Sequence, residues 1–373
     1  MNTLTEFIYS KIKEQGPITF AQFMEHALYH PMYGYYSSGN SNIGKEGDFY
    51  TSPHVHKAFG AVLANFIAKT LELMDKESFA VIEPGAGKGF LALDILNHLK
   101  HNYPMIYSQT TYYLIDKNSA SSMEVKSFFR DHTDKVRIFT SLDEIGSNNI
   151  CGVVLSNELF DALPFHRLKI IDGTISEIYV TLKDGELLET AGKPSSYEIV
   201  EYFNNIETRF EEGQEFEINL SVKNFFSRID EILGKGIILT VDYGYLAQEL
   251  FDSHRIKGTY KCLYKHTINE TPYMNIGNQD ITAHVDFSNM ISEGESLNIN
   301  KVKYTTQGQF LLDWGILETL EAESGKDIQS IKNLFLPELM GDKLKVLIQE
   351  KNLRHKIDTF YPNSPFKISF KVL

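Results

Sequence analysis

Three glycines at alternate positions, Gly85, Gly87 and Gly89, follow the carboxylate of Glu83 in the segment FAVIEPGAGKGFLALD, residues 79–94. The apolar run at 79–82 reads as a buried strand, and residues 90–99 carry helical periodicity, so the glycines occupy a strand-to-helix turn. Glycine there permits a tight bend and lets a ligand approach the backbone, while the first turn of the helix offers N–H groups that have no intrahelical partner. A nucleotide-like ligand is implied. The spacing excludes two common ones. A dinucleotide fingerprint needs glycine where Phe90 stands, and a phosphate loop needs Ser or Thr after Lys88, where Gly89 stands. Glu83 would repel a pyrophosphate but attract a ligand that carries an ammonium and a sulfonium. S-adenosylmethionine has both, and loses its methyl group to become S-adenosylhomocysteine. A second carboxylate, Asp116, closes the run YYLID, where it can accept the two ribose hydroxyls.

The acceptor side is read from SNELFDALPFHR, residues 156–167, which follows the fourth apolar run. Reacting groups gather outside the carboxyl ends of the strands of an open α/β sheet, so Asn157, Glu158 and Asp161 are the candidate catalytic residues, with Asn157 also within reach of the cofactor. Glu158 and Asp161 are three residues apart and would share one face of a helical turn. Two carboxylates there can grip a planar guanidinium, which stays protonated at neutral pH, and can accept a proton late in methyl transfer. The same residues equally fit a capped turn, with Asn157 or Glu158 as the cap and Asp161 facing solvent. Methyl transfer needs orientation and exclusion of water more than covalent help. The Gly-, Ser- and Tyr-rich stretch 30–53 is therefore a candidate cover, in which Asp48, Tyr50, Thr51 and Ser52 supply polar groups and Phe49 an apolar wall. Thr51 and Ser52 are assigned to the cofactor side. Asp242, Tyr243 and Gly244 end the fifth apolar run and line the same cleft or form an ordinary turn. His284 and Asp286 alternate on one strand face, as a site pair or a structural hydrogen bond. His54 and His56 lack a carboxylate or cysteine in metal-ligand spacing, so no metal is expected.

These residues require a parallel sheet to position them. Apolar runs at 79–82, 111–115, 136–139, 152–155 and 236–241 alternate with helical or loop segments, which is the pattern of a doubly wound α/β sheet. The expected architecture is a class I, Rossmann-like fold with an N-terminal helical and loop cover and a β-rich insertion between the fourth and fifth strands. Helices are read at 3–14, 17–28, 55–73 and 222–233. Hairpin-like alternation spans 174–182 with a turn at Asp184-Gly185. After it come a strand at 302–305, helices to about Lys351 and a last strand at 366–372. The division expected is 1–75 for the N-terminal cover, 76–164 for the first part of the core, 165–235 for the insertion and 236–373 for the rest.

Composition sets outer limits. The chain has 373 residues, 36 basic and 49 acidic, a balance of −13 that disfavours binding to a nucleic-acid backbone by bulk charge. Cys151 and Cys262 are its only cysteines, which indicates neither a disulfide framework nor a zinc cluster. No run approaches the roughly 18 apolar residues of a membrane span. Without a signal or transit pattern at the start, the expected location is cytoplasmic, as a monomer or homodimer.

The blocks GPITFAQFMEHALYHPMYGYY, IGKEGDFYTSP, EPGAGKG, SNELFDALPFHR, VDYG, GTYKCLYKH and QDITAHVDF together resemble the MidA-type methyltransferases, relatives of the mitochondrial complex I assembly factor that methylates an arginine. The resemblance covers nearly the whole chain. It departs modestly from the family: Asp116 stands where glutamate is common, and Ala86 and Phe90 stand for proline and threonine. The resemblance implies a class I fold, S-adenosylmethionine as cofactor, and a protein substrate with an accessible arginine, of respiratory-complex type. Another protein side chain or a small molecule as acceptor, or an assembly chaperone that binds the cofactor without turnover, are the alternatives.

Overall fold

The computed structural model describes residues 3–37, 52–74, 76–117, 127–146, 149–265, 267–321 and 324–353. The chain forms two compact units. One comprises Met1–Tyr50, Phe160–Asn224 and Tyr243–Met290, the other Thr51–Leu159, Phe225–Asp242 and Ile291–Leu373.

The second of these is Rossmann-like. Its strands are β1 (Phe79–Pro84), β2 (Thr110–Ile115), β3 (Val136–Phe139), β4 (Ile150–Asn157), β5 (Leu233–Tyr245), β6 (Ile299–Thr306) and β7 (Leu344–Lys351), hydrogen-bonded in the order β6-β7-β5-β4-β1-β2-β3. The pairs among β1 to β5 are parallel, and β6 runs antiparallel to β7. Every residue of β1 is buried, as the near-continuous apolar runs of a sheet covered on both faces require. Ala80, Gly152 and Gly236 stand side by side across β1, β4 and β5. A Cβ at Gly152 would lie 1.8 Å from the Ala80 carbonyl oxygen, so only glycine allows the backbones this approach. Strand order reverses between β1 and β4. Their carboxyl ends therefore flank the switch point where open α/β sheets bind ligands.

Each expected core strand is present, and the β-rich insertion separates β4 from β5 in sequence. The C-terminal expectation needs correction. Helices end at Phe335, a π-turn follows at Pro337–Gly341, and LKVLIQEK forms β7 instead of continuing the helical stretch to Lys351. Its apolar residues Leu344, Val346, Leu347 and Ile348 suit either period; continuous pairing with β6 makes it a strand. The strand expected at 366–372 lies outside the described residues.

The other unit packs the helices Thr3–Gln15 and Phe20–Tyr29 into a core with Phe165, Val180, Cys262 and Ile281. The second helix starts at Phe20 and not at Pro17, because Ile18 and Thr19 pair with Val180 and Tyr179. Thr19 then caps it: its hydroxyl accepts from the Gln22 N–H while the Gln22 side chain accepts from the Thr19 N–H. The insertion supplies the strands His166–Ile171, Thr174–Lys183, Glu186–Gly192 and Glu215–Ile218 to one antiparallel sheet. Asp184 (φ 53°) and Gly185 (φ 85°) close its hairpin with the left-handed pair that a two-residue turn favours. A second core gathers Leu168, Ile170, Ile199, Phe216 and Phe251. Of the expected cover loop, residues 38–51, and with them Asp48, Phe49, Tyr50 and Thr51, lie outside the described residues.

Candidate functional site

The turn after β1 is built by the chemistry that its sequence announces. Gly85, Gly87 and Gly89 adopt φ values of 74°, 54° and 80°, all in the left-handed region. The Gly85 and Ala86 N–H groups both donate to the Ile115 carbonyl at the end of β2, at 2.8 and 3.2 Å. Gly87 N–H donates to Asp116 Oδ2 at 2.9 Å, so the acidic residue after β2 holds the apex of the glycine loop directly. Gly89 precedes the helix Phe90–Asn102 and is buried; a Cβ there would stand 2.9 Å from the Phe129 ring. Gly85 and Gly87 are exposed, and a Cβ on Gly87 would meet no protein atom within 4 Å. The loop thus presents bare backbone beside a carboxylate, which fits a ribose and adenine seated against it.

Glu83 ends β1 with 4% of its surface exposed, and the Tyr112 hydroxyl donates to its Oε2 at 2.6 Å. Burial pushes the Glu83 carboxyl up to about 8; the Tyr112 hydrogen bond favours the ionised form, and the nearby Asp116 charge adds to the rise. The protein therefore holds a carboxyl whose ionisation awaits a cation, and an ammonium or sulfonium supplies one. The sign follows from this. In the unfolded chain Glu83 ionises near pH 4.5, and in the fold near 8, so its burial costs stability that grows as pH rises between those values and is absent below them. Glu83→Gln, which retains an acceptor for Tyr112, is expected to raise stability at pH 7.5 by on the order of 2 to 3 kcal/mol and to leave it unchanged at pH 4. Wild-type affinity for S-adenosylmethionine should rise with pH toward about 8, whereas that of the variant should be flat and, at high pH, about tenfold weaker. Thermal unfolding and calorimetry across pH check both; a variant of unchanged stability and unchanged pH profile would refute the role.

At the end of β4, Asn157 keeps its Oδ1 buried with no hydrogen-bond partner among the described residues, while its Nδ2 donates to Glu158 Oε1 at 3.3 Å. A buried acceptor left open at the switch point fits a ligand donor. Glu158 takes φ 47°, uncommon for a residue with a side chain, and its N–H donates to the Val241 carbonyl. Its Oε1 also accepts the Ser52 N–H at 3.1 Å, and the Ser52 hydroxyl donates to Gln307. Fully buried Asp242, in the last third of β5, accepts the Leu159 N–H. The expected helical turn joining Glu158 to Asp161 does not form: the left-handed Glu158 ends the strand, and residues 158–161 contain no helix. The two carboxylates belong to different units. Asp161 Oδ2 accepts the Thr282 hydroxyl at 2.9 Å, and its carbonyl accepts the Ala283 N–H. Asp286 accepts from the Tyr202 hydroxyl at 2.9 Å and from the Ser288 and Asn289 N–H groups, and His284 packs edge-on against Tyr245.

Comparison with known proteins bears on what this arrangement serves. Residues 62–305 match a family described as "Putative S-adenosyl-L-methionine-dependent methyltransferase". The chain belongs to this family. The methyltransferase is similar in structure to a Burkholderia thailandensis protein crystallised bound to S-adenosyl-homocysteine, with a TM-score of 0.84 and 27% identity over 96% of this chain and 94% of that one. It is 26% identical to the Drosophila melanogaster "Protein arginine methyltransferase NDUFAF7 homolog, mitochondrial", covering 83% of this chain and 74% of the relative. The Caenorhabditis elegans protein of the same name is 27% identical over 97% of this chain and 87% of its own length. The MidA-type resemblance and the class I fold are borne out, and S-adenosylmethionine is the methyl donor. The expected cytoplasmic location is overturned, since both curated relatives are named as mitochondrial proteins. Among the described residues no helix is long and apolar enough to cross a membrane.

Sequence reasoning missed Tyr112, Leu159 and Gln307. Tyr112 reads as one more aromatic in the strand TTYYLI, and only the register of β2 against β1 brings its hydroxyl to Glu83. Leu159 lies against the loop, where its Cδ1 would be 2.8 Å from a Cβ on Gly85.

Proposed function

We propose that this methyltransferase transfers a methyl group from S-adenosylmethionine to an arginine of a protein substrate. The observation that carries the reading is that the curated relatives, which align over most of the chain, are named protein arginine methyltransferases. The sulfonium supplies an activated methyl group, so the chain's own residues need only bind, orient and exclude water. Glu83 faces the cationic end of the donor, Asp116 accepts from its ribose, and the exposed backbone of Gly85 and Gly87 seats the nucleoside. Gly89 shapes the turn beneath them. Asn157 offers its open Oδ1 to a donor group. Glu158 stands on the acceptor side, where it aligns a guanidinium nitrogen and draws off the proton released as the sulfonium S–C bond breaks and the N–C bond forms; it also accepts the Ser52 N–H. Asp161 lies in the other unit, where its Oδ2 accepts the Thr282 hydroxyl.

The test is acceptor mapping. Extract from cells lacking the gene, incubated with the purified protein and methyl-labelled S-adenosylmethionine, is expected to yield label in methylarginine of one or a few proteins; a respiratory-complex subunit is the first to examine. Label on lysine or on a small molecule would replace the acceptor. Cofactor binding with no transfer would support an assembly role without turnover.

A further inference from the structure

A chain of hydrogen bonds runs from the C-terminal helices to Glu158, and every member of it lies in the unit formed by Thr51–Leu159, Phe225–Asp242 and Ile291–Leu373. Gln307 Nε2 donates to the Leu334 carbonyl at 2.8 Å, and Gln307 Oε1 accepts the Ser52 hydroxyl at 3.1 Å. The Ser52 N–H in turn donates to Glu158 Oε1 at 3.1 Å, the oxygen that also accepts Asn157 Nδ2. Gln307 and Ser52 are both fully buried. Local structure explains why the amide sits there. Thr306 ends β6 and caps the helix Gln307–Asp313, its hydroxyl accepting the Gln309 N–H, so Gln307 is the first residue of that helix. Gly308 lets the helix start touch the end of the helix Lys326–Phe335: a Cβ on Gly308 would lie 2.3 Å from the Phe335 carbonyl oxygen. Leu334 belongs to the last turn of that second helix, where carbonyls lack an intrahelical donor, and Gln307 supplies one.

Chemistry forces the direction of each bond. A backbone carbonyl only accepts, so the NH2 end of the Gln307 amide faces Leu334 and its oxygen faces Ser52, whose hydroxyl must donate. With its hydroxyl held on Gln307, Ser52 cannot turn without giving up a buried hydrogen bond. Its N–H opens the short helix Ser52–Val55, has no intrahelical acceptor, and stays on Glu158. An apolar side chain at position 307 would break this chain in the middle. Alignment of reactants is sensitive to displacements of about 1 Å, so a bond one residue removed from Glu158 reaches the transfer step.

We propose that Gln307 is a positioning residue for methyl transfer: by holding the Ser52 hydroxyl it fixes the Ser52 N–H against Glu158, and with it the carboxylate that aligns the acceptor. The proposal rests on the acceptor-side reading of Glu158 above and extends it to a side chain that acts on Glu158 through Ser52.

Gln307→Met keeps the length of the side chain and removes both of its polar ends; Ser52→Ala removes only the hydroxyl and guards against misfolding of the first variant. Single-turnover transfer from methyl-labelled S-adenosylmethionine to the mapped acceptor, at saturation, is followed for each variant alone, for the two combined, and for each in a Glu158→Gln background. A thermal melt and S-adenosylmethionine calorimetry accompany every variant. Each single variant is expected to slow transfer about tenfold. In Gln307→Met, half-saturation by the acceptor and affinity for S-adenosylmethionine should stay within about twofold of wild type, the pattern of a loss confined to the transfer step. The double variant should be slower than the worse single one by less than about twofold, and so should Gln307→Met once Glu158 is Gln, because losses along one linked chain do not add. A merely structural role would lower the melting temperature and leave the transfer rate of the folded protein unchanged. That result, or a loss that persists undiminished in the Glu158→Gln background, would overturn the proposal. Should Gln307→Met not fold, Ser52→Ala with and without Glu158→Gln decides by the same criteria. Full activity of Glu158→Gln alone would instead remove the reading on which the proposal rests.

Discussion

Gly87→Val is expected to lower affinity for S-adenosylmethionine by at least about a hundredfold in a protein that still folds. Gly87 is exposed at the apex of the loop, and a Cβ there meets no protein atom within 4 Å, so the fold itself has space for a side chain. Two costs remain. A β-branched residue at φ 54° is strained by about 1 to 2 kcal/mol, and the branched carbons would occupy the surface proposed to seat the nucleoside. The strain also weakens the hydrogen bond from Gly87 N–H to Asp116, the carboxylate proposed to accept from the ribose. Gly85→Val makes a less clean test, because its Cβ would also displace Leu159. Calorimetry with S-adenosylmethionine, beside a thermal melt, reads the effect. A folded Gly87→Val protein with wild-type affinity would remove the loop from the cofactor site.

Turnover should fall about thirtyfold to several thousandfold in Glu158→Gln, the range that corresponds to about 2 to 5 kcal/mol for neutralising one partner of a buried charge pair. Affinity for S-adenosylmethionine should stay close to wild type. The amide oxygen of glutamine can still accept from the Ser52 N–H and from Asn157 Nδ2, so the structural contacts of Glu158 survive while its charge is lost. Glu158→Ala loses both. It should be as inactive as the glutamine variant and in addition less stable by about 1 kcal/mol. The contrast separates the two readings of this residue: if Glu158 only secures the segment at Ser52, the glutamine variant keeps full activity and the alanine variant alone fails. Asp161→Asn, which can keep the Thr282 hydrogen bond, should change stability by no more than about 1 kcal/mol and activity less than Glu158→Gln does. Methyl incorporation into the mapped acceptor, with a melt for each variant, measures all of these.

Near neighbours in the chain determined much of this protein. The apolar runs foretold β1 to β5 because a strand buried on both faces needs apolar side chains throughout its length, and the glycines at alternate positions foretold a turn with left-handed φ because other residues resist it. Thr19 with Gln22, and Asp184 with Gly185, specify a helix start and a hairpin within a few residues each. Tertiary structure decided what depends on partners distant in sequence. LKVLIQEK fits a helix or a strand by itself, and pairing with β6 selects the strand. Glu83 and Tyr112 meet only through the register of β1 and β2, which also creates the buried environment that raises the carboxyl to about 8. Glu158 and Asp161, close in sequence, are parted by one left-handed residue into separate units, whereas Ser52 and Gln307, far apart in sequence, share a buried hydrogen bond. Periodicity and turn chemistry act over a few residues and are written locally; burial, charge environment and hydrogen bonds between distant residues arise only when strands and helices pack.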